Sequence, residues 1–275
     1  MFTIYSYIWK KKIGPVKTGK RHGLPWERFE MILILNLYFQ LPFGKLNHTT
    51  QDVRKLALLI QRTDNSVALR LTNYAACDPY ILQSGRTGMQ SGKNVCKPYW
   101  DEFANNKEQL FIEAEKIKAN LLHSTLEIQL GITKENLKGL SRETVIKQRV
   151  NQNVFRNMVL NNYDFRCAIT GINVPELLIA SHIIPWAENE ENRLNPENGI
   201  CLSPLYDKAF DKGFIGISPE YRVLISKDLK EYSNSEFYHQ HFGIIENKEI
   251  ILPEEHIPNP DFLEYHLCNI FAKHN

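Results

Sequence analysis

The sequence predicts an α+β protein, a helical N-terminal half followed by a smaller mixed unit. Three features lead to that class. From Trp26 to about residue 130, apolar side chains recur at helical intervals. Residues 178–213 instead read as strand, polar loop, short strand and helix. After Gly213, FIGISPEYRVLIS reads as a hairpin turning at Ser218-Pro219-Glu220.

A chain of 275 residues can hold two domains of ordinary size, and 43% hydrophobic with 11% aromatic residues marks it as globular. A net charge of +2 says little as a total, so its distribution matters more. No run reaches the length of a membrane span. In MFTIYSYIWKKK the charges follow the apolar residues, the reverse of a secretory signal, so the expectation is a cytoplasmic protein. Cys77, Cys96, Cys167, Cys201 and Cys268 are odd in number and scattered, which fits reduced, packed thiols better than a disulfide framework.

In chain order, residues 1–25 form a basic arm. It carries Lys10, Lys11, Lys12, Lys17, Lys20 and Arg21 with no acidic residue, a composition suited to phosphate contacts. The alternative is a flexible, solvated tail. WERFEMILILNLYFQ predicts a mostly buried helix ending near Pro42, and DVRKLALLIQ a second with Val53, Leu56, Leu59 and Ile60 inward. RTDN is a turn in which Thr63 or Asp64 caps a third helix, SVALRLTNYAA, whose Val67, Leu71 and Tyr74 pack. The outline is a helix-turn-helix unit. It would set Asn65, Ser66, Arg70 and Asn73 near a groove, where Arg and Asn can pair bidentately with guanine and adenine. An ordinary helical bundle with a polar face is the plainer reading of the same pattern.

QSGRTGMQSGKN is a surface loop without the Gly-Lys-Ser/Thr ending of a P-loop. PYWDEFANNKEQLFIEAEKIKANLLHSTLEIQ predicts one long helix, with Pro98 near its start and Gly131 after its end. ITKENLKGLS reads as a linker, RETVIKQRVNQNVFRNMVLNNY as a further helix, KEIILP as a short strand and PDFLEYHLCNIF as a closing helix. His239, His241, His256 and His266 have no ligand partner at a convincing spacing.

The chemistry concentrates in residues 178–213. LLIASHI is a strand ending on His182, and WAENEENRLNPENG is a loop. Ile200-Cys201-Leu202 is a second strand, Ser203 and Pro204 start a helix, and Gly213 stops it. Asp207 and Asp211, four apart, share one helical face, where like charges repel unless a cation binds between them. A neutral imidazole nearby can take a proton from water. Base, carboxylate-held metal and basic surroundings are what metal-assisted phosphodiester hydrolysis needs.

ITG, ASHIIPW and RLNPENGICLSPLYDKAFDKGF resemble the HNH, or ββα-metal finger, endonuclease family. His182 to Asn198 is 16 positions and Asn198 to Asp207 is nine, as in that motif. The resemblance implies that His182 is the general base and that Asn198 pins the loop and orients the base. Asp207 then stands at the last motif position, a metal ligand in many members. Many members carry Asp or His just before the base where this chain has Ser181, so Asp211 is the candidate to complete the metal's ligands. The imidazole should look across a narrow gap at these acids. Some relatives hold a structural zinc with two Cys-x-x-Cys knuckles. Here Thr170 and Pro204 occupy the second positions, so no zinc is expected. Arg193 is a candidate phosphate clamp, the alternative being an ion pair with Glu190, Glu191 or Glu197.

The expected organisation is therefore an arm (1–25), a helical DNA-binding domain (26–130), a linker (131–142) and an HNH nuclease domain (143–275). The helical domain is also similar, more loosely, to Myb-like helix-turn-helix domains and to leader regions on some HNH restriction enzymes. The expected activity is DNA cleavage with Mg2+, or Mn2+ in its place, on double-stranded DNA in restriction or defence. One nuclease site per chain points to a homodimer for double-strand cutting. The alternative is a DNA-binding regulator or architectural protein with an inactive HNH fold.

Overall fold

The computed structural model describes residues 13–133 and 139–274, so Lys10, Lys11 and Lys12 lie outside the described residues. The chain divides between Asn153 and Val154 into two compact units. That boundary falls inside a helix, Arg142–Asn162, which starts at the end of the expected linker.

The N-terminal unit is helical. Its elements are α1 (Arg28–Tyr38), α2 (Gln51–Leu59), α3 (Asp64–Ala75), α4 (Pro79–Gln83), α5 (Lys93–Phe103), α6 (Lys107–Leu121) and α7 (Leu126–Leu130). The MILILNL run of α1 is apolar all round, and such a helix must be enclosed. Met31 through Tyr38 are buried, against α2, α3, α5 and α6. Glu30 lies wholly buried among them and is held by the fork of Arg62, with N–O distances of 2.6 and 2.9 Å. Removing one partner of such a buried pair costs about 3–5 kcal/mol.

Thr63 is the N-cap of α3, its hydroxyl accepting from Ser66 N at 3.2 Å. From Ile13 on, the basic arm is no free tail. Val16 and Asp64 exchange two hydrogen bonds, and Ile13 bonds Gln51 and Arg54. The single long helix expected from Pro98 onward is three. Asn106 and Thr125 each leave the helical path and cap a new start, on Gln109 N and Ile128 N. Pro98 sits inside α5, and Gly131 ends α7 in the left-handed region.

The C-terminal unit opens with the second half of α8 (Arg142–Asn162). β1 (Ile179–His182) and β2 (Gly199–Leu202) form an antiparallel pair with Ser181 opposite Ile200 and His182 opposite Gly199. α9 (Pro204–Asp211) packs on both strands. β3 (Ile215–Ile217) and β4 (Val223–Ile225) make the expected hairpin, followed by α10 (Lys227–Lys230), α11 (Glu236–His241) and α12 (Pro260–Asn269). Phe155, Val159, Ile200, Leu202, Tyr206 and Phe210 meet in its core. Instead of a strand, KEIILP contributes one bridge, Glu249 to Arg222.

Gly213 closes α9. Phe214 N donates to Ala209 O and Gly213 N to Phe210 O, the paired bonds of a left-handed helix end, with Gly213 at φ +74°. A Cβ there would also come within 2.6 Å of Ile270 O, so this position excludes side chains twice over.

Candidate functional site

β1 ends on His182, and the surrounding unit fixes its ring on three sides. Phe155 of α8 lies flat against it, with centroids 3.6 Å apart and planes 13° apart. Trp186 meets it edge-on at 5.4 Å, and Nε2 is 3.1 Å from Arg193 O. A carbonyl only accepts, so Nε2 carries the proton and Nδ1 keeps its lone pair. Burial lowers the pKa of His182, and the nearby Arg193 charge acts the same way; the bond to the carbonyl opposes them. The ring is thus a neutral base at pH 7.

Gly199, opposite His182 in the ladder, makes room for this stack. A Cβ at Gly199 would overlap Val159 and come within 2.9 Å of Phe155 Cζ. A side chain there would push Phe155 off its seat under the imidazole.

Asn198 is 1% exposed and closes the loop between the strands. Its Oδ1 accepts from Ile184 N at 2.8 Å, and its Nδ2 donates to Ile184 O and Asn192 O, both at 3.2 Å. Arg193 is occupied inside the same loop. Its Nε donates to Trp186 O at 2.8 Å, and its guanidinium pairs with Glu190 at 3.0 Å and lies 5.2 Å from the Trp186 ring centre. The ion-pair alternative is therefore the arrangement present, and Arg193 staples the loop that presents its own carbonyl to His182.

On α9, Asp207 is half-buried and Asp211 exposed. Burial raises the Asp207 carboxyl, while the Ser181 hydroxyl and Lys208 act against it. Although the residue as a whole is exposed, partial burial of its carboxyl, then the charge of Asp207, raise Asp211, opposed by Lys208 and Lys212. Ser181 is 3% exposed, and its Oγ, though near enough to act on Asp207, completes no hydrogen bond.

Successive strand residues point to opposite faces, so Ser181 turns toward α9 and His182 toward α8. No hydrogen bond or ion pair joins His182 to Asp207 or Asp211 among the described residues. The strand residue beside Asp207 is thus Ser181 and not His182. Nor does any group of three or more His, Cys, Asp or Glu side chains stand ready to hold a metal among the described residues. Asp207 and Asp211 remain a coupled, oxygen-only pair, a donor set that suits a hard cation completing its shell with water and phosphate.

The N-terminal candidates divide. Asn65 is exposed. Ser66 is half-buried and bonds Thr63 O through its hydroxyl at 2.8 Å. Arg70 lies over Trp26 at 4.9 Å and donates to Asn73 Oδ1 at 3.2 Å. Asn73 is 2% exposed and donates to Met89 O at 2.8 Å. With α1, α2 and α5 all packed on α3, Asn73 has no open face, and its expected place in a groove is corrected.

Phe155, Gly199 and Trp186 were not foreseen as parts of this site. Gly199 within a strand hints at close approach, but nothing local marks Phe155. All five cysteines are free. Among the described residues no helix is long and apolar enough to cross a membrane.

Residues 167–218, spanning both strands, the loop and α9, match a family model described as HNH endonuclease. No curated protein matches the chain.

Proposed function

We propose that this chain, whose residues 167–218 carry an HNH endonuclease domain, is a metal-dependent endonuclease acting on double-stranded DNA. The observation behind this is the fixed tautomer of His182. With Nε2–H held by Arg193 O, Nδ1 is free to accept a proton from water as that water attacks the scissile phosphorus. The bond that forms is water oxygen to phosphorus, and the bond that breaks is phosphorus to the 3′ oxygen. Asn198 keeps the loop closed, so the carbonyl that orients the base stays in place. Asp207 and Asp211 would hold one Mg2+, which supplies charge neutralisation at a phosphate oxygen and the leaving oxygen. In this reading the base and the acids meet at the scissile phosphate, with no direct contact between them.

The N-terminal unit binds the duplex, with Asn65 the most open of its candidate residues. A cytoplasmic restriction or defence enzyme, type II-like or modification-dependent and acting as a homodimer, is the biological setting that agrees with one nuclease site per chain. The rival is a DNA-binding regulator with an inactive HNH fold. Ser181 favours it, because the position before the base supplies no carboxylate or imidazole. Incubating supercoiled plasmid with the protein in Mg2+, Mn2+ or EDTA separates the two. Metal-dependent nicking supports the nuclease; a mobility shift without nicking in any metal overturns it.

A further inference from the structure

Residues 13–24 cross the α2–α3 turn as a strap, seated at both ends. At one end Asp64 N donates to Val16 O and Val16 N to Asp64 Oδ2, both at 3.1 Å, while Ile13 bonds the Gln51 amide in both directions. At the other, Arg21 N donates to Gln61 O, and the Arg62 guanidinium donates to the carbonyls of Arg21, Leu24 and Pro25. Between them Gly19 lies so close to the turn that a Cβ would overlap Gln61 O and come within 2.9 Å of Arg62 Cα. Both clashes are with backbone, so no rotamer change relieves them.

The seating has an electrostatic consequence. The carboxylates that touch the strap are all paired: Asp64 with Val16 N and Arg54, Glu30 with Arg62 and Arg21, Glu27 with Arg21. Lys17, Lys20 and His22 face outward, exposed. Among the described residues, the side chains of Lys17 and Lys20 make no hydrogen bond or ion pair. Two long cations on a pinned backbone, with no free anion beside them among the described residues, form a ledge for a polyanion.

Resting on the nuclease reading, we infer that this strap, more than the enclosed face of α3, is where the N-terminal unit grips duplex DNA, through phosphates and without reading bases. Holding the backbone of the strap in place in advance lowers the ordering cost that a loose tail would meet on binding.

Equilibrium binding of the full chain to a plain duplex, in EDTA and across a salt series, tests this. Each phosphate contact contributes about 0.9 to the slope of log K against log salt. Replacing both Lys17→Ala and Lys20→Ala should lower the slope by about 1.8. Gly19→Val changes no charge yet should lower it too, because it lifts the strap. Lys116→Ala, on an exposed lysine of α6, should leave it unchanged. An unchanged slope in the double variant, or an equal fall in Lys116→Ala, overturns the strap assignment and leaves the nuclease reading standing. A wild-type chain that binds no duplex overturns the strap, and takes the DNA partner of the nuclease reading with it.

Discussion

Phe155 lies parallel to His182 at 3.6 Å between ring centres, and Gly199, paired with His182 across the hairpin, is what lets it approach. The ring of the proposed base is therefore aimed by a helix that contributes no polar group to the site. His182→Ala should lower nicking about 10²–10⁴-fold with duplex binding retained. Phe155→Leu keeps the base but frees its ring, and a small misplacement of a reacting group can cost up to about 10²-fold. It should lower kcat with little change in KM. An unchanged kcat, or a loss carried by KM alone, would reduce Phe155 to a packing residue.

The pH dependence follows from where His182 sits. Burial and the Arg193 charge set its pKa below the usual 6.5, so the base form persists as pH falls through 6.5 and disappears only below it. The acid limb of the kcat profile should lie below pH 6.5, and Phe155→Leu, by admitting water, should move it upward. A limb centred above 6.5 in the wild type would contradict the buried, neutral ring.

Much of the C-terminal unit is legible locally because its signals are backbone signals. Ser203 and Pro204 start α9 with Pro at the first helical position and no bond from the Ser203 hydroxyl, and Gly213 ends it through bonds made within a few residues. Asn198 was singled out by the resemblance and by no local signal, since an Asn-Gly pair alone reads as a turn; its amide bonds Ile184 and Asn192 across the loop. Phe155 was not legible: its contact with His182 joins two elements far apart in sequence, and periodicity marks it only as apolar. Asn73 was misplaced because a polar residue on a helix reads as solvent-facing until a further helix covers it, here α5 with the turn at Met89. At Asn106 and Thr125 the capping residues were present in the sequence, but continuous apolar spacing masked them.

Asp207→Asn tests the acid pair without changing side-chain shape. The charge of Asp207 raises the neighbouring carboxyl, so its removal should bring the pKa of Asp211 down. If both hold one cation, the Mg2+ giving half-maximal nicking should rise by about tenfold or more. Unchanged Mg2+ dependence would count against Asp207 as a ligand.

His266 ties α12 to the helix that carries both acids. Its ring stacks on Phe210 at 3.7 Å, its Nε2 is 3.0 Å from Phe210 O, and its buried Nδ1 has no partner among the described residues. Burial pushes its pKa down to about 4, against the bond to the carbonyl. Unfolded, the same ring titrates near 6.5, so between those values the unfolded chain binds a proton that the folded one refuses. Stability should hold above pH 6.5, fall as pH drops from 6.5 to about 4, and level off below. At about 1.4 kcal/mol per pH unit the loss is roughly 3 kcal/mol. Urea unfolding of the wild type and of His266→Leu at pH 7 and pH 4.5 isolates the contribution, because other titrating groups are common to both. The variant should lose less stability on acidification; an equal loss would mean that the ring is protonated while still packed on Phe210.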